Sequence, residues 1–370
     1  MHIQRGAWAE INLDAIAHNV QMAKANLKPT TKLCAVVKAD AYGHGAVRVA
    51  QEAARNGADF FAVALLQEGV KLREAGIETP ILVLGSMLPE VAEICVRYDI
   101  SHAVFDEERL YALNAAALKL HTKAKIHIKI DTGMHRIGVH VRDAGRFAKL
   151  AASLPGIYIE GVFSHFATAD ADDKQYAAYQ FERFQEALRL IEAEGVHIPI
   201  RHIANSAALT ELQEYQLDMV RQGITLYGLH PAHMIDCYKD FEPVMTVKTQ
   251  VAFVKTLPPG ETIGYGRTYT LTRPSVIATV PIGYADGFNR HLGCGHGEVW
   301  INGKRVPTVG NICMDLFMAD VTDVECAVGD KVEIFGEHIS AQDVADRLQT
   351  IPYEVLTSVS SRVKRIYYSE

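Results

Sequence analysis

Residues 35–45 read Ala-Val-Val-Lys-Ala-Asp-Ala-Tyr-Gly-His-Gly, and Lys38 is the residue among them that could do chemistry. The run from Leu33 to Val37 is short, apolar and rich in β-branched side chains, which suits a strand buried on both faces. Lys38 falls where that strand ends, ahead of a small-residue turn over 39–45 and a helical stretch over 46–56. Desolvation lowers the pKa of an amine and makes it a usable nucleophile or base. The competing possibility is a snorkelling lysine, stem buried and ammonium in water. Spacing alone favours that plainer possibility.

The elements that must position Lys38 can be read along the chain. Trp8 to Leu13 alternates like a strand, and Asp14 is the expected N-cap of a helix reaching about Asn26. Strands are then predicted over 33–37, 60–64, 81–84, 102–105, 126–130, 159–164, 201–204 and 219–222. Helices are predicted between them over 46–56, 67–75, 89–98, 107–118, 143–153, 176–194 and 206–213. This alternation predicts an α/β fold, an N-terminal (β/α)8 TIM-type barrel. A doubly wound open sheet is the alternative. No Gly-x-Gly-x-x-Gly turn follows the first strand, which weakens a dinucleotide-binding version.

The pattern changes near Asp236 to Pro243. Strands are predicted over 244–255, 275–281, 298–301, 317–321 and 331–335, with Asn302-Gly303 as a hairpin turn and one helix over 340–348 capped by Ser340. Two domains follow, a barrel over 1–238 and a mainly β C-terminal domain over 239–370.

Composition excludes several function classes. A formal charge of −7 offers no electrostatic case for nucleic acid or an anionic membrane. No segment approaches the roughly 20 apolar residues of a transmembrane helix, and Met1 to Gly6 lacks an apolar signal core. A cytoplasmic protein is expected. The cysteines, Cys34, Cys95, Cys237, Cys294, Cys313 and Cys326, are scattered without zinc-site spacing, so no metal is expected and Cys294-Gly295-His296 reads as a loop.

A barrel places catalytic groups at the carboxyl ends of its strands. The polar residues at those predicted ends are Lys38, Lys129, His165, Asn205 with Ser206, and Arg221. Each also has a structural reading. Arg221 could pair with Asp218, Lys129 could pair with Asp131, Asn205-Ser206 could cap a helix, and His165 could simply be packed.

Val36-Val37-Lys38-Ala39-Asp40-Ala41-Tyr42-Gly43-His44-Gly45 resembles the pyridoxal-phosphate attachment motif of the alanine racemases. Further blocks resemble that family in its own order: 131–136 (Asp-Thr-Gly-Met-His-Arg), 164–170, 204–206, 220–224, 265–266, 281–287 (Pro-Ile-Gly-Tyr-Ala-Asp-Gly) and 310–315 (Gly-Asn-Ile-Cys-Met-Asp). The similarity covers essentially the whole chain. It implies a Schiff base between Lys38 and pyridoxal 5'-phosphate, with Lys38 as one catalytic base and Tyr265 as the second. In the family that tyrosine comes from the other subunit, so a homodimer is expected. The resemblance sets Arg221 against the cofactor's ring nitrogen, His202 behind Arg221, and His165 against the ring. It assigns the phosphate to Tyr42, Ser206, the backbone of Gly223 and Ile224, and Tyr353, with Asn205 beside them. Arg136 and the Met314 amide would hold the substrate carboxylate, with Tyr284 and Asp315 lining the pocket. Lys129 resembles a lysine that is carbamylated in several relatives and pairs with the arginine at the position of Arg136.

Racemisation requires proton removal on one face and delivery on the other, which one rigidly held base cannot easily provide. The implied activity is interconversion of L- and D-alanine, supplying D-alanine for peptidoglycan. A serine or broad-range racemase of the same fold is the alternative. A decarboxylase on the same barrel, or a non-catalytic cofactor carrier, fits less well, because the C-terminal motifs fit racemases.

Overall fold

The computed structural model describes residues 6–231 and 238–369, so Met1 to Arg5, Asp236 and Cys237 lie outside the described residues. The chain divides into two compact units. One takes in Ala15–Ala41 and Ala46–Glu242, the other Met1–Asp14, Tyr42–Gly45 and Pro243–Glu370.

Strand β1 is Ala7–Asn12. The next eight are β2 (Lys32–Val36), β3 (Phe60–Val63), β4 (Ile81–Val83), β5 (Ser101–Val104), β6 (Ala124–Asp131), β7 (Ile157–Phe163), β8 (Ile200–His202) and β9 (Met219–Gln222). Strands β2 to β9 form one parallel sheet in the order β9-β2-β3-β4-β5-β6-β7-β8. Its two ends approach one another, because Asp218 N donates to Arg201 O at 3.0 Å and Arg221 N to Ala204 O at 3.1 Å. This is the expected barrel, nearly closed. Every residue of β3, β4 and β5 is buried, as a parallel sheet covered on both faces requires.

The first helix, α1, runs Leu13–Ala25. Asp14 therefore lies inside it and does not cap it. Asn12 Oδ1 accepts from Asp14 N at 2.9 Å, so Asn12 takes the capping role.

The second unit is built on β10 (Met245–Gln250), β11 (Phe253–Leu257), β12 (Ser275–Val280), β13 (Glu298–Ile301), β14 (Lys304–Val309), β15 (Phe317–Asp320), β16 (Lys331–Phe335) and β17 (Lys364–Tyr368). With β1 they make a sheet in the order β11-β12-β15-β14-β13-β16-β10-β1-β17. The predicted strand over 244–255 is two strands. Val251 N donates to Asp330 O and Ala252 N to Thr279 O, so the chain changes partner between them. Asn302 (φ 43°) and Gly303 (φ 87°) make the expected hairpin turn. Ser340 caps Ala341–Leu348, accepting from Asp343 N at 2.9 Å.

The N-terminal strand belongs to this second sheet. It pairs antiparallel with β10 and parallel with β17, so a cut at 238/239 does not separate the two units. Alternation along β1 shows that one face is buried but not against which strand. The helix Pro352–Ser358 and β17 are additional to the predicted elements. No helix among the described residues is long and apolar enough to cross a membrane.

Ile11 is fully buried in β1. Ile11→Ala is expected to cost about 2–5 kcal/mol of stability. Hydrogen-exchange protection should fall first in β10 and β17; an equal loss throughout β2 to β9 would contradict the placement of β1.

Candidate active site

The barrel brings Lys38, Lys129, His165, Asn205 and Arg221 to the carboxyl-terminal ends of β2, β6, β7, β8 and β9. In a parallel barrel these ends share one face. Lys38 is half-buried and lies two residues beyond the end of β2. The backbone after it is unusual: Ala39, Asp40, Ala41 and Tyr42 all have φ between 50° and 55°. A left-handed turn of non-glycine residues costs about 1–2 kcal/mol per residue. Within the barrel unit it is anchored by Glu68, whose carboxylate accepts from Ala39 N at 2.6 Å, and by Asp40, which accepts from Ala46 N and Lys71 Nζ. Burial, then the positive charge of Arg136, lowers the Lys38 pKa, with Glu68 opposing and Arg221 adding to the effect.

Arg221 is 3% exposed. Its guanidinium donates to His202 Nδ1 at 2.7 Å, to the carbonyls of Ser164 and Ile203 at 2.9 and 3.0 Å, and to His165 Nδ1 at 3.1 Å. Asp218 is not its partner; Asp218 binds Arg201 at 2.6 and 3.0 Å. The expected alternative ion pair is therefore absent among the described residues. Burial brings the Arg221 pKa down to about 10, and pushes His165 and His202 well below the ordinary imidazole range, with Arg221 next in effect on both.

Lys129 is also buried, its amine 4.6 Å from the centre of the Phe163 ring, over which Arg221 stands at 5.4 Å. Asp131 does not pair with it. That carboxylate is occupied by the His135 ring and by the amides of Gly133 and His135. Burial, then Arg221 and Arg136, drives the Lys129 pKa well below the usual lysine value.

Asn205 does cap Ser206–Glu211, accepting from Ala208 N at 3.1 Å. Ser206 Oγ accepts from Gly223 N at 2.8 Å, which ties that helix start to the 3-10 turn Ile224–Tyr227. Hydroxyl and amide groups at adjoining helix starts suit an anion. Arg136 is exposed in the loop after β6, and no ion pair holds it among the described residues.

In the second unit, Tyr42 and Tyr353 are neighbours, ring centres 5.8 Å apart. Arg365 Nε donates to Gly43 O at 2.8 Å. A Cβ on Gly43 would lie 2.6 Å from Leu356 O, so glycine is required at this approach. Tyr265 is 71% exposed between Gly264 and Gly266, and its carbonyl accepts from Asn311 Nδ2 at 2.7 Å. Met314, 53% exposed, lies in a loop whose carbonyls at 313 and 314 accept from the amides of Tyr284 and Ala285. Asp315 pairs with Arg362 at 2.5 Å, and Arg362 stands 3.4 Å from Asp286, so Asp315 anchors this loop. Sequence reasoning missed Phe163, His127, Glu160 and Glu68. A glutamate inside the otherwise apolar run of β7 was the one available signal.

A barrel carrying desolvated amines and a buried guanidinium at its strand ends, on a chain that continues into a mainly β unit, defines a barrel enzyme of amine chemistry. Residues 11–231 match the alanine racemase N-terminal domain and residues 244–367 the alanine racemase C-terminal domain. The chain is 48% identical over 364 residues to alanine racemase 2 of Caldanaerobacter subterraneus subsp. tengcongensis, covering 97% of this chain and 94% of that one. The structure of alanine racemase from Clostridium difficile 630 matches with a TM-score of 0.96 at 40% identity, over 99% of this chain and 97% of that one. That of Bacillus anthracis alanine racemase with bound L-Ala-P matches at 0.94 and 39% identity, over 100% and 96%. The chain belongs to the alanine racemase family.

The Asp218–Arg201 pair should be separable from the site. Burial raises the Asp218 pKa, but the Arg201 hydrogen bonds outweigh it and hold the carboxyl below its usual value. Its stabilisation is therefore complete above about pH 4 and is lost as pH falls through the lower folded-state value. Asp218→Asn should remove this part of the acid limb, at a cost of about 0–1 kcal/mol, seen in urea unfolding against pH.

Proposed function

We propose that this chain interconverts L- and D-alanine with pyridoxal 5'-phosphate as cofactor, supplying D-alanine for peptidoglycan precursors in the cytoplasm. The observation that carries this reading is Lys38: a half-buried amine with a lowered pKa at a strand end, in a chain that matches the family over nearly its full length.

The residues present fit the cofactor. Lys38 would hold it covalently. Ser206, the Gly223 and Ile224 backbone, Asn205, Tyr42 and Tyr353 would hold its phosphate, with His165 against the ring. Arg221 would face the ring nitrogen, supported by His202. An arginine only donates, so a nitrogen facing it stays unprotonated. This restrains side reactions that need a strongly electron-poor ring. When bound, the cofactor supplies the electron sink that lets the α-proton leave.

The chain's own groups do the rest. By the family resemblance, Arg136 would bind the substrate carboxylate, a role that suits a guanidinium, and the Met314 amide, Tyr284 and Asp315 are likewise assigned to the substrate. Lys38 moves the proton on one face, and Tyr265 from a partner subunit moves it on the other. The exposure of Tyr265, Met314 and Leu316 supports a homodimer in which that surface is covered.

Lys129 is carbamylated in this reading. Burial and the charges of Arg221 and Arg136 lower its pKa and so favour the neutral amine, whose lone pair can attack carbon dioxide. The N–C bond forms, one C=O electron pair moves to oxygen, and the amine proton leaves to solvent. The resulting carboxylate balances Arg136.

Purified protein should form D-alanine from L-alanine. Lys38→Ala and Tyr265→Ala should each cut the rate by about 10²–10⁴-fold. Mixing the two inactive variants should restore activity, because one site in each mixed dimer is then intact. No recovery after demonstrated subunit exchange would rule out sharing of the site. With 13C-labelled bicarbonate, a carbamate carbon signal should be present in the wild type and lost in Lys129→Ala; its absence in the wild type would end the carbamylation proposal.

A further inference from the structure

Behind Arg221 the barrel interior holds a file of polar side chains that the reaction above does not use. His202 Nε2 and His127 Nδ1 are 2.9 Å apart, and His127 Nε2 lies 3.1 Å from Glu160 Oε2. The same carboxylate oxygen accepts from Ser101 Oγ. His127 and His202 are fully buried, and the Glu160 side chain is 13% exposed.

Proton positions along this file follow from its two ends. Arginine has no acceptor, so His202 Nδ1 must accept from Arg221 Nη1 at 2.7 Å. A neutral imidazole carries one N–H, which places the His202 proton on Nε2. That N–H donates to His127 Nδ1, so the His127 proton also sits on Nε2, where it donates to Glu160. The file ends on an acceptor-only group, a carboxylate. Burial raises the Glu160 pKa, and the hydrogen bonds donated by His127 and Ser101 act against that and favour the carboxylate.

The rings are built into place. His202 stacks on Phe163 at 4.9 Å with the planes 2° apart, and His127 meets Phe60 and Phe163 edge-on at 6.0 and 6.4 Å. Gly161 makes the room. A Cβ there would stand 2.5 Å from His127 Nδ1 and 2.7 Å from Ile200 O. The imidazole and a side chain at 161 cannot share that space.

We propose that Glu160 is a positioning residue for Arg221: the donor-only guanidinium and the acceptor-only carboxylate demand the same two tautomers from opposite ends of the file, and the demand of Glu160 on His127, passed to His202, holds the guanidinium in its aim. Glu160 is also the negative end to which the buried positive charge is linked. The proposal rests on the assignment of Arg221 to the cofactor, but the tautomers can be read without that assignment.

The test uses the full-length protein and its Glu160→Leu, Glu160→Gln and His127→Phe variants. The 15N signals of His202 and His127 are assigned by their loss in His202→Asn and His127→Asn. In the wild type both rings should be neutral and protonated on Nε2. In Glu160→Leu the His202 ring should become a mixture of tautomers, and kcat for alanine should fall about tenfold, with KM changed by less than about twofold. In Glu160→Gln the amide oxygen can still accept from His127, so tautomer and most of the rate should be kept. Should Glu160→Leu fail to fold, His127→Phe decides the same question, because it keeps the ring volume and removes the acceptor of His202. An unchanged His202 tautomer in the variant that folds overturns the relay. A changed tautomer with unchanged kcat overturns the positioning role. A wild type with the stated tautomers that does not racemise alanine would overturn the proposed function while upholding the relay.

Discussion

Removing the Arg221 guanidinium from water is the constraint on which the barrel unit depends. The effective penalty for burying such an ion is several kcal/mol, and the usual remedy is a carboxylate partner. Here the partners are two backbone carbonyls, two imidazoles and the face of Phe163. This choice fixes its neighbours. His165 and His202 must stay neutral to accept from Arg221, and their lowered pKa values agree with that demand. Lys129, over the same phenyl ring, cannot remain an uncompensated ammonium without a large further cost. One buried cation thereby sets the protonation of the groups around it.

A second constraint is conformational. The left-handed turn over 39–42 stores strain next to the lysine to which the chemistry is assigned. Strain of this kind persists only where surrounding contacts over-determine it. Glu68 supplies such contacts, because its carboxylate accepts from the amides of Ala39, Ala64 and Leu65 at once, and so links the turn after β2 to the turn after β3. Rigidity at Lys38 comes from a residue that performs no chemistry itself.

Much of this was legible from the residues. Apolar runs bounded by turns marked all eight barrel strands, and Lys38, Lys129, His165, Asn205 and Arg221 lie at the strand ends as expected. Burial on both faces imposes a strong and local pattern. Chemistry that departs from it, such as a lysine or arginine in a β-branched run, stands out. The Asn302-Gly303 hairpin and the Ser340 cap were legible for a similar reason, since both depend on neighbours within a few residues.

The sequence by itself determined the rhythm of elements, the turn chemistry and the family motifs. Only the tertiary structure decided partners. Alternation in β1 could not name β10 and β17, because a period of two records a buried face and not the strand beyond it. Asp218 stood as near in sequence to Arg221 as any acid, yet it binds Arg201, because successive side chains on a strand point to opposite faces and neighbouring strands supply the contacts. Glu160, His127 and His202 lie far apart along the chain and meet only where β6, β7 and β8 pair. Hydrogen bonds require contact within about 3 Å in space, and distances of that kind are set by packing and not by spacing along the chain.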